Sequence, residues 1–252
     1  LNACDISIHE KSPLLIKIQK QKLKKKNITW LSNIKKIKKK PTIFIANEFF
    51  DAIPIKQFIK LDNSWFERYV GKTDNNKLFF FDKKFNMKNF ENKIKYNISQ
   101  KQNFIEYSEI GIDYLKNISE IIKKNNGGAL IIDYGYFEEK MKNTLQAISN
   151  KKKSNILYNI GNSDITHNIN FYLFKKIIRK IGKIDNITTT QRNFLLKLGI
   201  KQRAEIISKK LPFSKKADIY YRLKRLIDQK QMGELFKVMF IKNKNNKFNL
   251  GF

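Results

Sequence analysis

The sequence predicts an α/β fold in which an open parallel sheet carries an antiparallel β-hairpin insertion and extra C-terminal helices. Two apolar runs, Thr42–Ala46 and Ala129–Ile132, are each followed at once by polar residues, as expected for buried strands of a parallel sheet. An amphipathic helical pattern lies between them at Ser108–Lys124. With 252 residues and 41% hydrophobic content, the chain can bury one large core.

The first predicted elements form a strand–helix–strand unit. Ile6–Glu10 alternates in polarity and indicates a strand that ends in a carboxylate. Ser12 is a typical helix N-cap, and Pro13 suits the first helical position. The apolar spacing after it predicts a helix to about Lys24, and Ile28–Leu31 indicates a second short strand.

The pattern then changes to that of an antiparallel insertion, at about residues 55–105. Gln57–Leu61 and Trp65–Val70 flank the turn at residues 62–64 and predict a β-hairpin. Lys77–Phe81 predicts a further strand. Residues 83–103 are polar and show no clear period.

The second half of the chain begins with a helix over Ser108–Lys124, which residues 125–128 terminate. Residues 136–170 are predicted to be a long loop, the start of a largely helical insertion over about 136–230. Later helices are predicted at about Phe171–Ile181, Gln191–Leu198, Lys201–Lys209 and Ala217–Asp228, and a central strand at Leu235–Ile241. Since no repeat or linker interrupts this order, we interpret residues 1–252 as a single domain.

The formal charge of +30 predicts salt-sensitive, nonspecific binding to polyanions. Lysine, asparagine and isoleucine are all in excess, which favours compositional drift over selection for nucleic-acid binding. One cysteine and two histidines make a zinc site improbable and fit a reducing compartment. The sequence has neither a secretory signal pattern nor an apolar stretch of membrane-spanning length.

Acidic or amide side chains follow three of the predicted strands: Glu10, Asn47 with Glu48, and Asp133. In open α/β sheets, ligands bind beyond the carboxyl ends of the strands. A carboxylate after the second strand can accept hydrogen bonds from a ribose diol, or Glu10 can simply lie at a helix N-terminus. A carboxylate such as Glu48 can orient a guanidinium group. His167 alone is more typical of a satisfied histidine than of a catalytic base.

These segments together resemble the MidA family of S-adenosylmethionine-dependent methyltransferases, whose mitochondrial members methylate an arginine of a respiratory complex I subunit during assembly. The resemblance covers nearly the whole chain, and the block from Asn47 to Pro54 is its most specific part. The other matching segments are His9–Pro13, Gly127–Gly135, Asn143–Ala147, Gly161–Phe171, Thr190–Ile200 and Met232–Phe236.

The resemblance implies a Rossmann-like class I methyltransferase sheet, S-adenosylmethionine as cofactor, and a protein substrate. It implies protein-arginine methylation of a complex I subunit, in a bacterial cytoplasm or a mitochondrial matrix; it gives no oligomeric state. The implied catalytic residues are Asn47, Glu48 and Asp51; Glu10 and Asn47 would contact the cofactor, and Asp133, Tyr134, Asp164 and Thr166 would bind the substrate.

The sequence also departs from the family. The Gly-rich cofactor loop is expected on a strand before residue 1, which predicts an N-terminally truncated chain. Asparagine replaces the usual aspartate at positions 155, 159 and 170. Two alternatives therefore stay open: a nucleic-acid amino-methyltransferase, which the charge favours, and a non-catalytic assembly or binding factor that lacks a complete cofactor site.

Overall fold

A five-stranded sheet forms the centre of the fold in the computed structural model, which describes residues 4–24 and 27–252. The strands are β1 (Ile6–His9), β2 (Ile28–Leu31), β3 (Thr42–Asn47), β4 (Lys56–Leu61), β5 (Ser64–Lys72), β6 (Leu78–Phe85), β7 (Phe104–Tyr107), β8 (Gly127–Tyr136), β9 (Gln146–Ser149), β10 (Lys152–Ser154), β11 (Asp164–Thr166), β12 (Ile169–Asn170), β13 (Ile184–Thr190) and β14 (Phe236–Asn243). The helices are α1 (Pro13–Lys22), α2 (Met87–Ile94), α3 (Glu109–Asn125), α4 (Phe171–Ile181), α5 (Gln191–Lys197), α6 (Ile200–Ser208), α7 (Phe213–Ile227) and α8 (Met232–Leu235).

The long strand β8 organises the central sheet. On one side it pairs antiparallel with β14, which in turn pairs antiparallel with β13. On its other side it pairs in parallel with β3 along residues 127–132 and with β12 at residues 135–136. Residues 133 and 134 therefore lie where one parallel partner has ended and the next has not begun.

Most of the predicted elements are confirmed. Ser108 caps α3, and the helix Phe171–Ile181 has the predicted bounds. The late strand is interior, between β8 and β13. The predicted hairpin is the centre of a separate four-stranded antiparallel sheet in the order β6-β5-β4-β7, spanning residues 56–107.

Three sequence predictions were wrong or incomplete. Residues 136–170 are not a plain loop, because they form the small sheet β10-β9-β11 and the strand β12. Residues 83–103, which show no clear period, contain α2, whose Met87 and Phe90 are buried. The strands β7 and β13 were not predicted at all. The strands β7, β10, β11 and β12 have only two to four residues, and pairing with other strands rather than local pattern stabilises them. The helix α2 and the seven-residue strand β13 are longer, and their sequence pattern was not recognised.

The helices α3 and α4 cover the sheet and pack against each other. The apolar face of α3 is fully buried at Leu115 and Ile122, and that of α4 at Ile178. This packing fixes the positions of β3 and β8, and hence of the loops that follow β3. In the described residues no helix is long and apolar enough to cross a membrane.

One edge of β3 has no strand beside it among the described residues. The side chains of Ile43 and Ile45 in β3 are each 75% exposed, although both are large and apolar. The pair β1–β2 forms its own two-stranded parallel sheet. We refer below to this unpaired side of β3 as the open edge.

Candidate functional site

Asp133 is the structural centre of the candidate site. Its side chain is fully buried, at 0% exposure, in the gap between β3 and β12. One oxygen accepts hydrogen bonds from the backbone N–H groups of Phe50 and Asp51, at 2.9 and 3.3 Å, and the other accepts from the N–H of Tyr134 at 2.9 Å. The carboxylate thereby replaces the missing ladder partner and ties the loop after β3 to β8.

The loop after β3 begins with a left-handed residue, Glu48, with φ of 47°. Its N–H still donates to the carbonyl of Ile132 at 3.0 Å, so the chain turns away from the sheet directly after this bond. Its carboxylate is exposed and accepts from the amide of Asn47 at 3.3 Å. A non-glycine residue in this region costs energy and is enriched at functional sites.

Burial and neighbouring carboxylates raise the pKa of Asp51 and of Asp133. Burial raises the pKa of Asp51 to about 6, and the nearby charges of Glu48 and Asp164 add to the effect. Burial also raises the pKa of Asp133 to about 7, and the charge of Asp51 adds to it. The pKa of Tyr134 is raised by burial and by the carboxylates around it. Such a concentration of negative charge is stabilised when a cation binds.

The small sheet of residues 146–166 brings Asp164 and Thr166 to this group. Thr166 is buried and accepts a hydrogen bond from Gln146 at 3.3 Å. The next residue, His167, donates its backbone N–H to the carbonyl of Asp51 at 3.1 Å, and its ring contacts the carbonyl of Ile53 at 3.1 Å. Burial lowers the pKa of His167. This histidine therefore holds the loop after β3 in place.

The predicted site residues thus fall into two groups. Five come together at one end of β8: Glu48, Asp51, Asp133, Tyr134 and Asp164. Asn47 precedes Glu48 in the chain, and its amide donates to the Glu48 carboxylate. Thr166 lies on the same strand as Asp164. Asp133 was expected at the end of a strand, but it lies within β8, which continues to Tyr136.

Glu10 lies apart from this group. One of its oxygens accepts from the N–H groups of Lys11 and Ser12, and the other from the side-chain amide of Gln19. These contacts place it at the N-terminus of α1. A path through side chains connects its strand to the site: His9 bonds the Tyr114 hydroxyl at 2.9 Å, and the ring of Tyr114 packs edge-on against Phe49.

Glu106 supports the site but was not identified from the sequence. It is buried on β7, where it accepts from the amide of Gln57 at 2.8 Å and from the hydroxyl and N–H of Thr144. This network joins the antiparallel sheet to the segment before β9. A charged residue between apolar neighbours in Phe104–Tyr107 was the available signal.

The comparisons with known proteins agree with this architecture. Residues 1–189 match a family model described as "Putative S-adenosyl-L-methionine-dependent methyltransferase". The chain is 31% identical over 179 residues to the protein arginine methyltransferase NDUFAF7 homolog, mitochondrial, of Caenorhabditis elegans, covering 70% of this chain and 42% of that protein. It is 27% identical over 225 residues to the mitochondrial protein arginine methyltransferase NDUFAF7 of Danio rerio, covering 86% of this chain and 51% of that one.

A solved structure from Burkholderia thailandensis, bound to S-adenosyl-homocysteine, superimposes with a TM-score of 0.79 at 21% identity and covers 98% of this chain and 66% of that one. This similarity supports the fold. The chain spans about half the length of the curated relatives that it matches. Because the family model matches residues 1–189 of 252, the chain belongs to the family of S-adenosylmethionine-dependent methyltransferases that this model describes.

Proposed function

We propose that this chain is the acceptor-binding part of a protein-arginine methyltransferase that acts on a subunit of respiratory complex I. The observation that carries the proposal is the gathering of Glu48, Asp51, Asp133 and Asp164 at one end of β8, in a chain whose formal charge is +30. A cluster of carboxylates in a chain that is otherwise strongly positive favours a cationic acceptor. The names of the relatives, protein arginine methyltransferases of mitochondria, support the same choice.

A guanidinium group fits this cluster better than an ammonium group. Its planar fork can bond two carboxylate oxygens at once, and it stays charged at all working pH values. Glu48 is exposed and placed to meet an incoming side chain, and Asp51 lies deeper, at 4% exposure. The cluster therefore suits a side chain that enters from solvent and is held at its tip.

When bound, S-adenosylmethionine supplies an electrophilic methyl group on a sulfonium centre. Glu48 would orient the guanidinium, and most of the rate enhancement would come from this positioning. Asp51, whose pKa is raised to about 6, is suited to accept the proton that the methylated nitrogen loses. Asp133 would hold the loop that carries both residues.

The residues present fit the cofactor only in part. Glu10 lies at the end of β1, as a ribose-binding carboxylate would, but its oxygens already bond the start of α1 and Gln19. The first glycine of the sequence is Gly71, so no residue before it can form a Gly-rich loop. The open edge of β3 leaves space for a further strand. We propose that such a strand and its loop complete the cofactor site.

Replacing Glu48 with glutamine should lower kcat for methylation of an arginine peptide by about 100-fold, because one charge that orients the guanidinium is lost. The dissociation constant for S-adenosyl-homocysteine should stay within about threefold of that of the parent. Steady-state kinetics and calorimetry, on this chain extended by the genomic sequence before Leu1, measure the two quantities.

Glu120→Gln is the matched control, since Glu120 is a half-exposed carboxylate of α3 that pairs with Lys123, and it should leave both quantities unchanged. A peptide with lysine in place of arginine should be a poor substrate for the parent. Equal losses of turnover and cofactor affinity in the Glu48 variant would contradict an acceptor-binding role.

A second candidate function is a binding factor that recognises the cationic segment without methylating it. The occupied oxygens of Glu10 favour this alternative. Calorimetry with S-adenosylmethionine distinguishes the two. We expect the chain as described to bind weakly and the extended chain to bind tightly; if the extended chain also fails to bind, the non-catalytic function is correct.

A further inference from the structure

The turn between α6 and α7 carries an unusual combination of charge and exposed apolar surface. Its sequence, Lys209–Lys216, places two lysines on each side of Leu211, Pro212 and Phe213. We call these eight residues the basic tip. Phe213, the first residue of α7, is 86% exposed, and Ile206 in the last turns of α6 is 74% exposed. Neither side chain contributes to the core of the described residues.

The charge around the basic tip is one-sided. Residues 200–227 contain nine lysines and arginines but only two acidic residues, and one of these, Asp218, is paired with Arg222. None of the four lysines of the tip forms a salt bridge within the part of the chain that the structure describes. At the other end of α6 and α7, a cavity of about 330 Å³ is lined by three cationic side chains, Arg192, Lys201 and Lys224, and by one carboxylate, Asp228.

The tip has a defined shape because the turn is hydrogen-bonded. The N–H of Leu211 donates to the carbonyl of Ser208 at 3.0 Å, and the N–H of Lys216 to that of Pro212 at 3.0 Å. The exposed phenylalanine is therefore held at the start of a helix rather than on a loose loop. Ordering the tip upon contact then requires little additional backbone entropy.

We propose that the basic tip docks on an anionic lipid surface. Apolar and aromatic side chains that enter the interface, flanked by lysines that meet acidic headgroups, are the features of peripheral membrane contacts. Charge complementarity selects an anionic surface, since the tip has four positive side chains and no carboxylate. The exposed Phe213 favours lipid over a purely ionic partner, because moving a phenylalanine side chain from water into an apolar environment lowers the free energy.

The position of the tip relates this contact to the candidate site. The helices α5–α8 connect the end of β13 to the start of β14. Both of these strand termini lie at the edge of the sheet where Asp133 and Tyr134 stand, because Phe236 pairs with Tyr134 and Thr190 with Lys237. The basic tip therefore belongs to the helical segment that leaves and rejoins the sheet at the end of the strands where the candidate site lies.

Cosedimentation with vesicles tests the proposal on the full chain. The parent should bind vesicles of phosphatidylcholine mixed with phosphatidylglycerol, should not bind phosphatidylcholine alone, and should lose binding as salt is added. Phe213→Ser should weaken binding about tenfold. The double variant Lys209→Gln and Lys210→Gln should weaken it by a similar or larger factor. Both changes are at exposed positions, so urea midpoints should match that of the parent.

Matched controls separate the tip from the overall charge. Val70→Ser changes an exposed apolar residue of β5, and the pair Lys72→Gln with Lys77→Gln removes two charges from the β5–β6 hairpin. These variants should bind like the parent. The proposal is overturned if the controls lose as much binding as the tip variants, or if the parent does not bind anionic vesicles. It is also overturned if polyglutamate binds in a Phe213-dependent manner while vesicles do not, since the partner is then an acidic protein.

Discussion

Asp133→Asn should lower the free energy of unfolding by about 2–4 kcal/mol. The carboxylate accepts three backbone hydrogen bonds in a fully buried position, from Phe50, Asp51 and Tyr134. An asparagine has one acceptor oxygen, so its NH₂ group must face at least one of these N–H donors. The clash leaves buried donors without partners and releases the loop after β3. Urea unfolding followed by circular dichroism measures the change.

Asp185→Asn provides the control for this prediction. Asp185 also accepts a backbone N–H, from Asn186 at 2.8 Å, but it is exposed, so water can replace the lost bond. We expect its cost to be below about 1 kcal/mol. If the two variants had equal stability, Asp133 would not be the residue that anchors the loop.

Asp51→Asn should have the opposite sign and should stabilise the fold at pH 8 by about 1–2 kcal/mol. Burial raises the pKa of Asp51 to about 6, with the charges of Glu48 and Asp164 adding to it, and burial raises the pKa of Asp133 to about 7, with the charge of Asp51 adding to it. For an acid whose folded pKa is raised, the folded state holds the proton more tightly than the unfolded chain. The contribution of such an acid to the free energy of unfolding is therefore most favourable at a pH below its ordinary pKa of 3.8, and it declines as the pH rises toward 7.

Removing the charge of Asp51 should restore the free energy of unfolding that is lost as the pH rises. The free energy of unfolding of the parent, relative to the variant, should decline between about pH 4 and pH 7 and level off above. Urea titrations at several pH values compare the two proteins, and Asp185→Asn should run parallel to the parent. A variant that is less stable than the parent at pH 8 would contradict the destabilising effect of the buried Asp51 charge. The same variant should lose methyl-transfer activity, because residues that serve catalysis often reduce the stability of the folded protein.

The strand ends of the candidate site could be predicted from sequence because their signal is local. The apolar run of β3 stops at Asn47, and the helical period of α3 is continuous, so the block from Glu48 onward was correctly placed after a strand. The expectation that this strand is buried was wrong, because Ile43 and Ile45 are each 75% exposed. The same reasoning could not reveal that Asp133 lies inside β8. That position depends on the offset between β3 and β12, which is a property of strand pairing and not of residue order.

The parts that escaped prediction depend on distant contacts. The strands β10 and β12 have three and two residues, too few to carry a period, and exist because they pair with β9 and β8. The raised pKa of Asp51 likewise needs Glu48 and Asp164 in space, although Asp164 is over a hundred residues away in the chain. Asn155 and Asn170 each accept a hydrogen bond from a nearby backbone N–H group. Amide oxygens suffice for that role.

The open edge of β3 has a consequence for handling the protein in solution. A strand whose edge is unpaired is a template on which another molecule can extend the sheet. The exposed side chains of Ile43 and Ile45 would favour such an association, because it buries apolar surface. Mutual repulsion between molecules with a charge of +30 opposes such stacking at low ionic strength. Added salt removes the repulsion but leaves the exposed isoleucines, so precipitation should set in as ionic strength increases, the reverse of ordinary salting-in.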